Sequence, residues 1–243
     1  MIQHSSLDNV RVVLSHTTHP GNIGSSARAM KTMGLSSLYL VNPKSFPDSE
    51  ANALATNAQD ILDKAVVCSE LDLALQDCVL AVAMTARTRE LTNPILDARQ
   101  VTKKLIEVAT QSPVALVFGT ESSGLTTSEV NKCQLTVYIP ANPIYASLNL
   151  AAAVQIMCYE LYMATITTGN QSLRSQPQQL ASLKEIELFF QYLEQILISS
   201  KFLDPKQPKR LMPRIRRLFS RTTLEKEEIN LLRGMIRALK KET

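Results

Sequence analysis

The sequence predicts an α/β domain, a parallel β-sheet covered by helices on both faces, followed by a small all-α C-terminal extension. Three observations predict it. Short β-branched runs alternate with helical stretches through the first 167 residues. The strand runs are apolar almost throughout, as strands buried on both faces are. Beyond residue 181 the pattern changes to helices alone.

Val10–Ser15 (VRVVLS) reads as the first strand, and Asn22–Met33 as a helix stopped by Gly34 at a left-handed cap position. Ser37–Asn42 is a second strand closed by Pro43. Ala51–Lys64 is predicted as one helix, Ala65–Cys68 as a short strand and Leu71–Asp77 as a helix. Val79–Thr85 (VLAVAMT) and Val114–Gly119 (VALVFG) are buried strands flanking the helix Val101–Ala109. Thr126–Lys132 is a short helix with Ser128 and Glu129 in its first turn. Leu135–Pro140 is the last strand, and Ser147–Thr165 the longest helix of this part.

In such sheets ligands bind outside the carboxyl ends of the strands. Those ends carry Ser15–Gly24, Thr85–Arg89, Gly119–Gly124 and Pro140–Asn149, all rich in Gly, Ser, Thr, Asn or Arg. A site is therefore expected there.

The expected domains are residues 1–167, a polar linker over 168–181, and a basic helical extension over 182–243. Ser182-Leu183-Lys184-Glu185 is a capping box, and the helix it opens runs to about Ser199 with Ile186, Phe189, Phe190, Leu193, Ile196 and Leu197 on one face. Leu224–Lys240 is a second amphipathic helix. Charge divides the same way. Residues 1–168 hold 11 Lys+Arg against 14 Asp+Glu, a net of −3; residues 169–243 hold 15 against 8, a net of +7. Within Lys201–Arg221 stand eight basic residues and one acid, Asp204. That surplus points to a polyanion partner, with Lys209, Arg210, Arg214, Arg216 and Arg217 as its candidate contacts.

Other classes lose ground. The sequence has no Trp and few aromatics, so a stacking platform is not expected as the main nucleic-acid device. The four cysteines form no C-x-x-C pair and read as buried free thiols of a reducing compartment. The apolar stretch Leu148–Ala164 is broken by Asn149, Gln155 and Glu160, and the N-terminus lacks a signal-peptide pattern, so neither a membrane span nor secretion is expected and the protein reads as cytoplasmic. Gly21-Asn22-Ile23-Gly24 is not a G-x-G-x-x-G turn, and no G-K-[ST] phosphate loop occurs. His16 and His19 with Asp8 do not complete a metal sphere, so no metal is expected.

Three loop motifs remain. The first is Asn22-x-Gly24-x-x-x-Arg28, in which Asn22 is suited to cap its helix and Gly24 to permit close approach. The second is Phe118-Gly119-Thr120-Glu121-x-x-Gly124-Leu125. The third is Ile139-Pro140 followed by Ser147-Leu148-Asn149 and Ala151-Ala152-Ala153, with Ser147 a natural N-cap. In order and placement they resemble the SPOUT class of RNA methyltransferases, specifically its TrmH-like ribose 2′-O-methyltransferases. Thr120 departs from the arginine common there. Asn93-Pro94, Leu96-Asp97, the Thr85–Arg89 loop and the basic tail are most similar to the TrmJ branch, which methylates the ribose 2′-hydroxyl at position 32 of the tRNA anticodon loop.

The resemblance implies a deep C-terminal trefoil knot, a rare exception to unknotted topology. It implies S-adenosyl-L-methionine as cofactor, held by Met84, Thr85, Ala86, Gly119, Ile139, Ala146, Ser147 and Leu148. Arg28, Ser147 and Asn149 are implied as catalytic, with Arg28 also meeting the RNA alongside Arg87 and Arg89. Asn22 and Glu121 are expected to orient the site, and the active form to be a homodimer on tRNA. Ribosomal RNA as substrate, or an RNA-binding protein without catalysis, are the alternatives.

Overall fold

Seven parallel strands form one sheet in the order β3-β2-β1-β6-β4-β7-β5. They are β1 (Val10–Ser15), β2 (Ser37–Val41), β3 (Val66–Cys68), β4 (Leu80–Met84), β5 (Ile95–Asp97), β6 (Val114–Phe118) and β7 (Leu135–Tyr138). The computed structural model describes residues 6–86, 95–168, 179–220, 222 and 224–241, which fall into two compact units, within 1–174 and 175–243.

Every residue of β4 and β6 is buried, so both faces of the sheet are covered there. Arg11 is the exception to the apolar pattern in β1. Its guanidinium donates to the Ala74 carbonyl at 3.0 Å, pairs with Asp77 at 3.6 Å and lies 4.7 Å from the Tyr39 ring centre, which satisfies a charge on a central strand. The edges thin out: Val66, Val67 and Ile95 are exposed. Strand β5 went unpredicted because three residues carry too little periodicity, and the segment before it, including Arg87, Arg89, Asn93 and Pro94, lies outside the described residues.

Around the sheet pack α1 (Pro20–Thr32), α2 (Ser49–Ala55), α3 (Gln59–Asp63), α4 (Leu71–Leu75), α5 (Ala98–Ala109), α6 (Thr127–Lys132) and α7 (Leu150–Thr168). Several starts and stops differ from those expected, among them α5, which begins at Ala98 behind a capping box at Asp97, three residues before Val101. Helix α1 begins two residues early, because Pro20 fits the first turn, where its missing N–H costs nothing. The expected helix Ala51–Lys64 is two helices: Asp48 caps α2 by accepting from Glu50 N, and Thr56, at φ +53°, ends it. Helix α7 begins at Leu150, and its cap is Asn149, whose Oδ1 accepts from Ala151 N at 2.9 Å and Ala152 N at 3.3 Å, not Ser147. All four cysteines are buried free thiols, and burial pushes Cys78 up to about 11 and Cys158 to about 12.

The second unit holds α8 (Leu183–Ser199), α9 (Leu211–Phe219) and α10 (Lys226–Lys241). The Ser182–Glu185 capping box opens α8 as its sequence requires. Phe189, Phe190, Leu203, Met212, Leu224 and Ile229 make the core, and the rings of Phe189, Phe190 and Phe219 meet at centroid distances of 5.4–5.9 Å. Backbone bonds from Ala181 N to Leu224 O and from Lys226 N to Gln179 O tie the start of α8 to the start of α10. Among the described residues no helix is long and apolar enough to cross a membrane.

Candidate functional site

Strands β1, β6, β4 and β7 are neighbours in the sheet, so the four loops expected to form a site leave from one edge. The sheet order brings together segments a hundred residues apart in sequence.

The centre of that edge is Glu121. Helix α1 has no side-chain cap of its own, since its N-cap residue is His19. Glu121, from the loop after β6, supplies what is missing. Its Oε2 accepts from Thr18 N at 3.1 Å and Thr18 Oγ1 at 2.7 Å; its Oε1 accepts from His19 N at 3.2 Å and Asn22 Nδ2 at 2.8 Å. A carboxylate on a helix N-terminus is also favoured by the backbone dipoles. Partial burial acts to raise its pKa, but the bonds from Asn22 and Thr18 outweigh it and hold the carboxyl at about 2, below the usual 4.5.

Asn22 carries the network onward. It does not cap α1, as the sequence suggested; in the first turn its amide donates to Glu121, and its Oδ1 accepts from Asn149 Nδ2 at 3.0 Å. Asn149 spends its own oxygen on capping α7. One residue from each of the three motifs thus joins in a single chain, Asn149 to Asn22 to Glu121 to Thr18 and His19. Thr18 was missed in the sequence, where nothing distinguishes it from any loop threonine.

The sign of the Glu121 shift sets a pH dependence. A carboxyl whose folded pKa lies below its unfolded one stabilises the fold fully above about 4.5, and that contribution disappears as pH falls towards 2. Melting temperatures of the wild type and Glu121→Gln should therefore differ by a constant amount at neutral pH and converge between about 4.5 and 2. A gap independent of pH would refute the assignment.

Two glycines have packing reasons. A Cβ on Gly24 would lie 2.0 Å from the Ala51 carbonyl oxygen, so the close approach it permits is that of α2. A Cβ on Gly119 would lie 2.1 Å from the Gly124 carbonyl carbon and 2.2 Å from Leu125 N. Its Cβ position faces the chain's own backbone. Thr120 closes that same turn: its Oγ1 meets Ser123 Oγ at 2.7 Å and its carbonyl accepts from Gly124 N at 2.9 Å. A short polar residue suits that position.

Beside this chain Glu129 accepts from the buried Ser15 Oγ at 2.5 Å and completes a capping box with Thr126. His16 Nδ1 lies 2.9 Å from Ser15 Oγ. The three resemble a hydrolytic triad in composition only, because Ser15 is fully buried. The sequence placed Glu129 in the first turn of this helix; its capping box with Thr126 and its bond from Ser15 come from the structure.

The remaining expected residues distribute as follows. Met84 is buried, Thr85, Ile139 and Ala146 are half-buried, and Ala86, Ser147 and Leu148 are exposed. Arg28 is exposed on α1 and makes no hydrogen bond or ion pair among the described residues. At 100° per residue it points about 120° away from Asn22, and no hydrogen bond joins it to Ser147 or Asn149 among the described residues. Arg87 and Arg89 lie outside the described residues. Lys209, Arg210, Arg214 and Arg217 are exposed. Arg216, expected to face RNA, is engaged within the fold: it forks onto Glu187 at 2.5 and 2.8 Å and lies 4.6 Å from the Phe190 ring centre.

The edge fits a cofactor with a nucleoside and a charged tail. The amides of Ala146, Ser147 and Leu148 have no hydrogen-bond partner among the described residues, which leaves three successive donors facing outward, while Leu148 exposes apolar surface beside them. Proteins bind nucleosides with this combination of backbone donors and apolar walls.

Comparison with known proteins agrees with this geometry. The SpoU rRNA methylase family model matches residues 9–159, and that of the C-terminal domain of the tRNA methyltransferase TrmJ matches residues 184–243. The tRNA (cytidine/uridine-2′-O-)-methyltransferase TrmJ of Sodalis glossinidius is 48% identical over 96% of this chain and 92% of its own. The tRNA (cytidine/uridine/adenosine-2′-O-)-methyltransferase TrmJ of Pseudomonas aeruginosa is 45% identical over 95% and 93%. The crystal structure of TrmJ from Z. mobilis superposes with a TM-score of 0.82 at 29% identity, over 95% of this chain and 98% of that one. On a match that spans more than half its length, with a TrmJ-type C-terminal domain behind it, the chain belongs to the SpoU methylase family.

Proposed function

We propose that the protein transfers a methyl group from S-adenosyl-L-methionine to a ribose 2′-hydroxyl of tRNA, at position 32 of the anticodon loop. The observation that carries the reading is the chain Asn149–Asn22–Glu121, which locks the three motif loops together at one sheet edge. The near full-length similarity to tRNA 2′-O-methyltransferases supports the reaction and substrate class. The trefoil knot follows from the same family likeness.

The cofactor, when bound, supplies an electrophilic methyl on a sulfonium. The protein's task is to align the hydroxyl with it for in-line displacement. The Ala146–Leu148 amides and the walls around Met84, Thr85, Ala86, Gly119 and Ile139 hold the cofactor, and Ser147 orients the ribose. Asn149, with both side-chain atoms engaged in the fold, is a positioning residue. Arg28 clamps the phosphate next to the target ribose, and the proton leaves to that phosphate or to solvent. Purified protein, labelled cofactor and an unmodified tRNA pool, followed by mapping of the methylated nucleotide, tests the reading. Methylation of ribosomal RNA instead, or none, would refute it.

The site is completed across a homodimer. Within one chain no hydrogen bond joins Arg28 to Ser147 among the described residues, and α7 leaves Tyr159, Tyr162, Met163 and Ile166 exposed, at the i, i+3, i+4, i+7 spacing of one helix face. Ile166, 58% exposed, is the sharpest probe. Ile166→Glu should yield a monomer in light scattering and lose most activity; a dimer of normal activity would show that this face is not the interface.

A further inference from the structure

The second unit contains an open cleft of about 580 Å³, lined by Phe202, Asp204, Lys209, Arg210 and Arg214 among others. Its size lies within the roughly 300–1,000 Å³ of small-ligand sites. Three features of its lining bear on what it could hold.

The first is the ring of Phe202. The other phenylalanines of this unit, Phe189, Phe190 and Phe219, pack on one another, whereas Phe202 is 69% exposed beside the fully engaged Leu203. The second is the state of the cations. Arg216 and Lys226 are paired with Glu187 and Glu185, but Lys209, Arg210 and Arg214 have no acidic or hydrogen-bonding side-chain partner among the described residues. Arg210 is the N-cap residue of α9, and its side chain makes no cap.

The third is the definition of the loop. Leu203 N donates to Leu197 O at 2.9 Å, Gln207 N to Asp204 O at 3.1 Å and Lys206 N to Asp204 Oδ1 at 2.9 Å. Lys201 and Lys209 bracket it in left-handed backbone, at φ +61° and +48°, a conformation that L residues hold only where their surroundings impose it. The cleft is preformed.

We infer that this cleft takes one unpaired nucleotide of the tRNA, its base stacked on Phe202 and its phosphate gripped by Arg210 and Arg214, with Lys209 adding charge. Guanidinium forks match phosphate oxygens, and a base offers the flat face that an exposed aromatic ring prefers. Asp204 fits the same ligand: its second carboxylate oxygen is an acceptor for an exocyclic amino group. A duplex phosphate track would need the cations but not the ring. The inference rests on the reading that the protein acts on tRNA, and it adds where that RNA is held.

The test uses the full chain and unmodified tRNA in filter binding across a salt series. Phe202 is exposed, so its replacement leaves the core intact. Phe202→Ala and Phe202→Leu should each weaken binding by about 5- to 100-fold, the range of one lost base stack, with Phe202→Tyr close to wild type. The salt dependence should be unchanged in all three. Arg210→Gln/Arg214→Gln should instead flatten the slope of log affinity against log salt by about 0.7, the contribution of one single-strand phosphate. Wild-type affinity in Phe202→Ala, full rescue by leucine, or an unaltered slope in the double variant would overturn the inference. Failure of the wild-type protein to bind or methylate tRNA would instead overturn the enzymatic reading, so the two failures are distinguishable.

Discussion

Arg28→Ala should lower the single-turnover rate of methyl transfer by about 100-fold or more at saturating tRNA, while cofactor affinity measured by calorimetry stays within about twofold. The arginine is exposed and makes no ion pair or hydrogen bond among the described residues, so its removal costs the fold little. Its value lies in what it offers an incoming ligand. A guanidinium does not give up its proton in proteins, so a role as general base is excluded on chemical grounds. What it offers instead is a rigid fork of donors, the geometry that the proposed clamp on the phosphate next to the target ribose needs. Arg28→Lys separates the two parts of that account: it keeps the charge and loses the fork, and should recover less than a tenth of the lost rate. A normal single-turnover rate in Arg28→Ala would sink the clamp. Full recovery by lysine would mean that charge, without geometry, is what matters.

Much of this was legible in the sequence, for identifiable reasons. Buried parallel strands announce themselves by unbroken apolar runs, so β1, β4, β6 and β7 were readable to within two residues. The capping box at Ser182 was a local pattern and survived folding unchanged. What failed was local inference where a distant residue had taken over. Asn22 was expected to cap its own helix, but Glu121, far along the chain yet in the loop after the neighbouring strand β6, holds that N-terminus, and Asn22 donates to it. Ser147 precedes the last helix by three residues because Asn149 is a stronger cap there. Gly24 was read as permitting a close approach without a named contact; the collision that a Cβ would make identifies Ala51. Arg216 counts with the other arginines by charge alone, and only its geometry against Glu187 and Phe190 separates it from Arg210 and Arg214.

Gly24→Ala should destabilise the first unit by about 3 kcal/mol or more, seen as a fall of roughly 6–12 °C in its melting temperature. The new methyl would stand 2.0 Å from the Ala51 carbonyl oxygen, 2.8 Å from its carbon and 2.9 Å from Ala55 N. All three are backbone atoms of α2, so no rotamer change relieves the clash and the two helices must separate. Two other glycines calibrate the claim. At Gly34 the added carbon meets only Leu7, at 3.7 Å, but φ is +78°, so alanine should cost about 1–2 kcal/mol through backbone strain alone. At Gly234, inside α10, nothing lies within 4 Å, and alanine should stabilise by about 0.5–1 kcal/mol through helix propensity. The order Gly24, Gly34, Gly234 is thus fixed by contact, strain and propensity in turn, and a Gly24→Ala protein that melts with the wild type would refute the tight α1–α2 crossing. The same variant also links packing to chemistry. Gly24 follows Asn22 by two residues in the first turns of α1, so moving α1 off α2 shifts the amide that joins Asn149 to Glu121, and methyl transfer should fall at temperatures where the fold itself still holds.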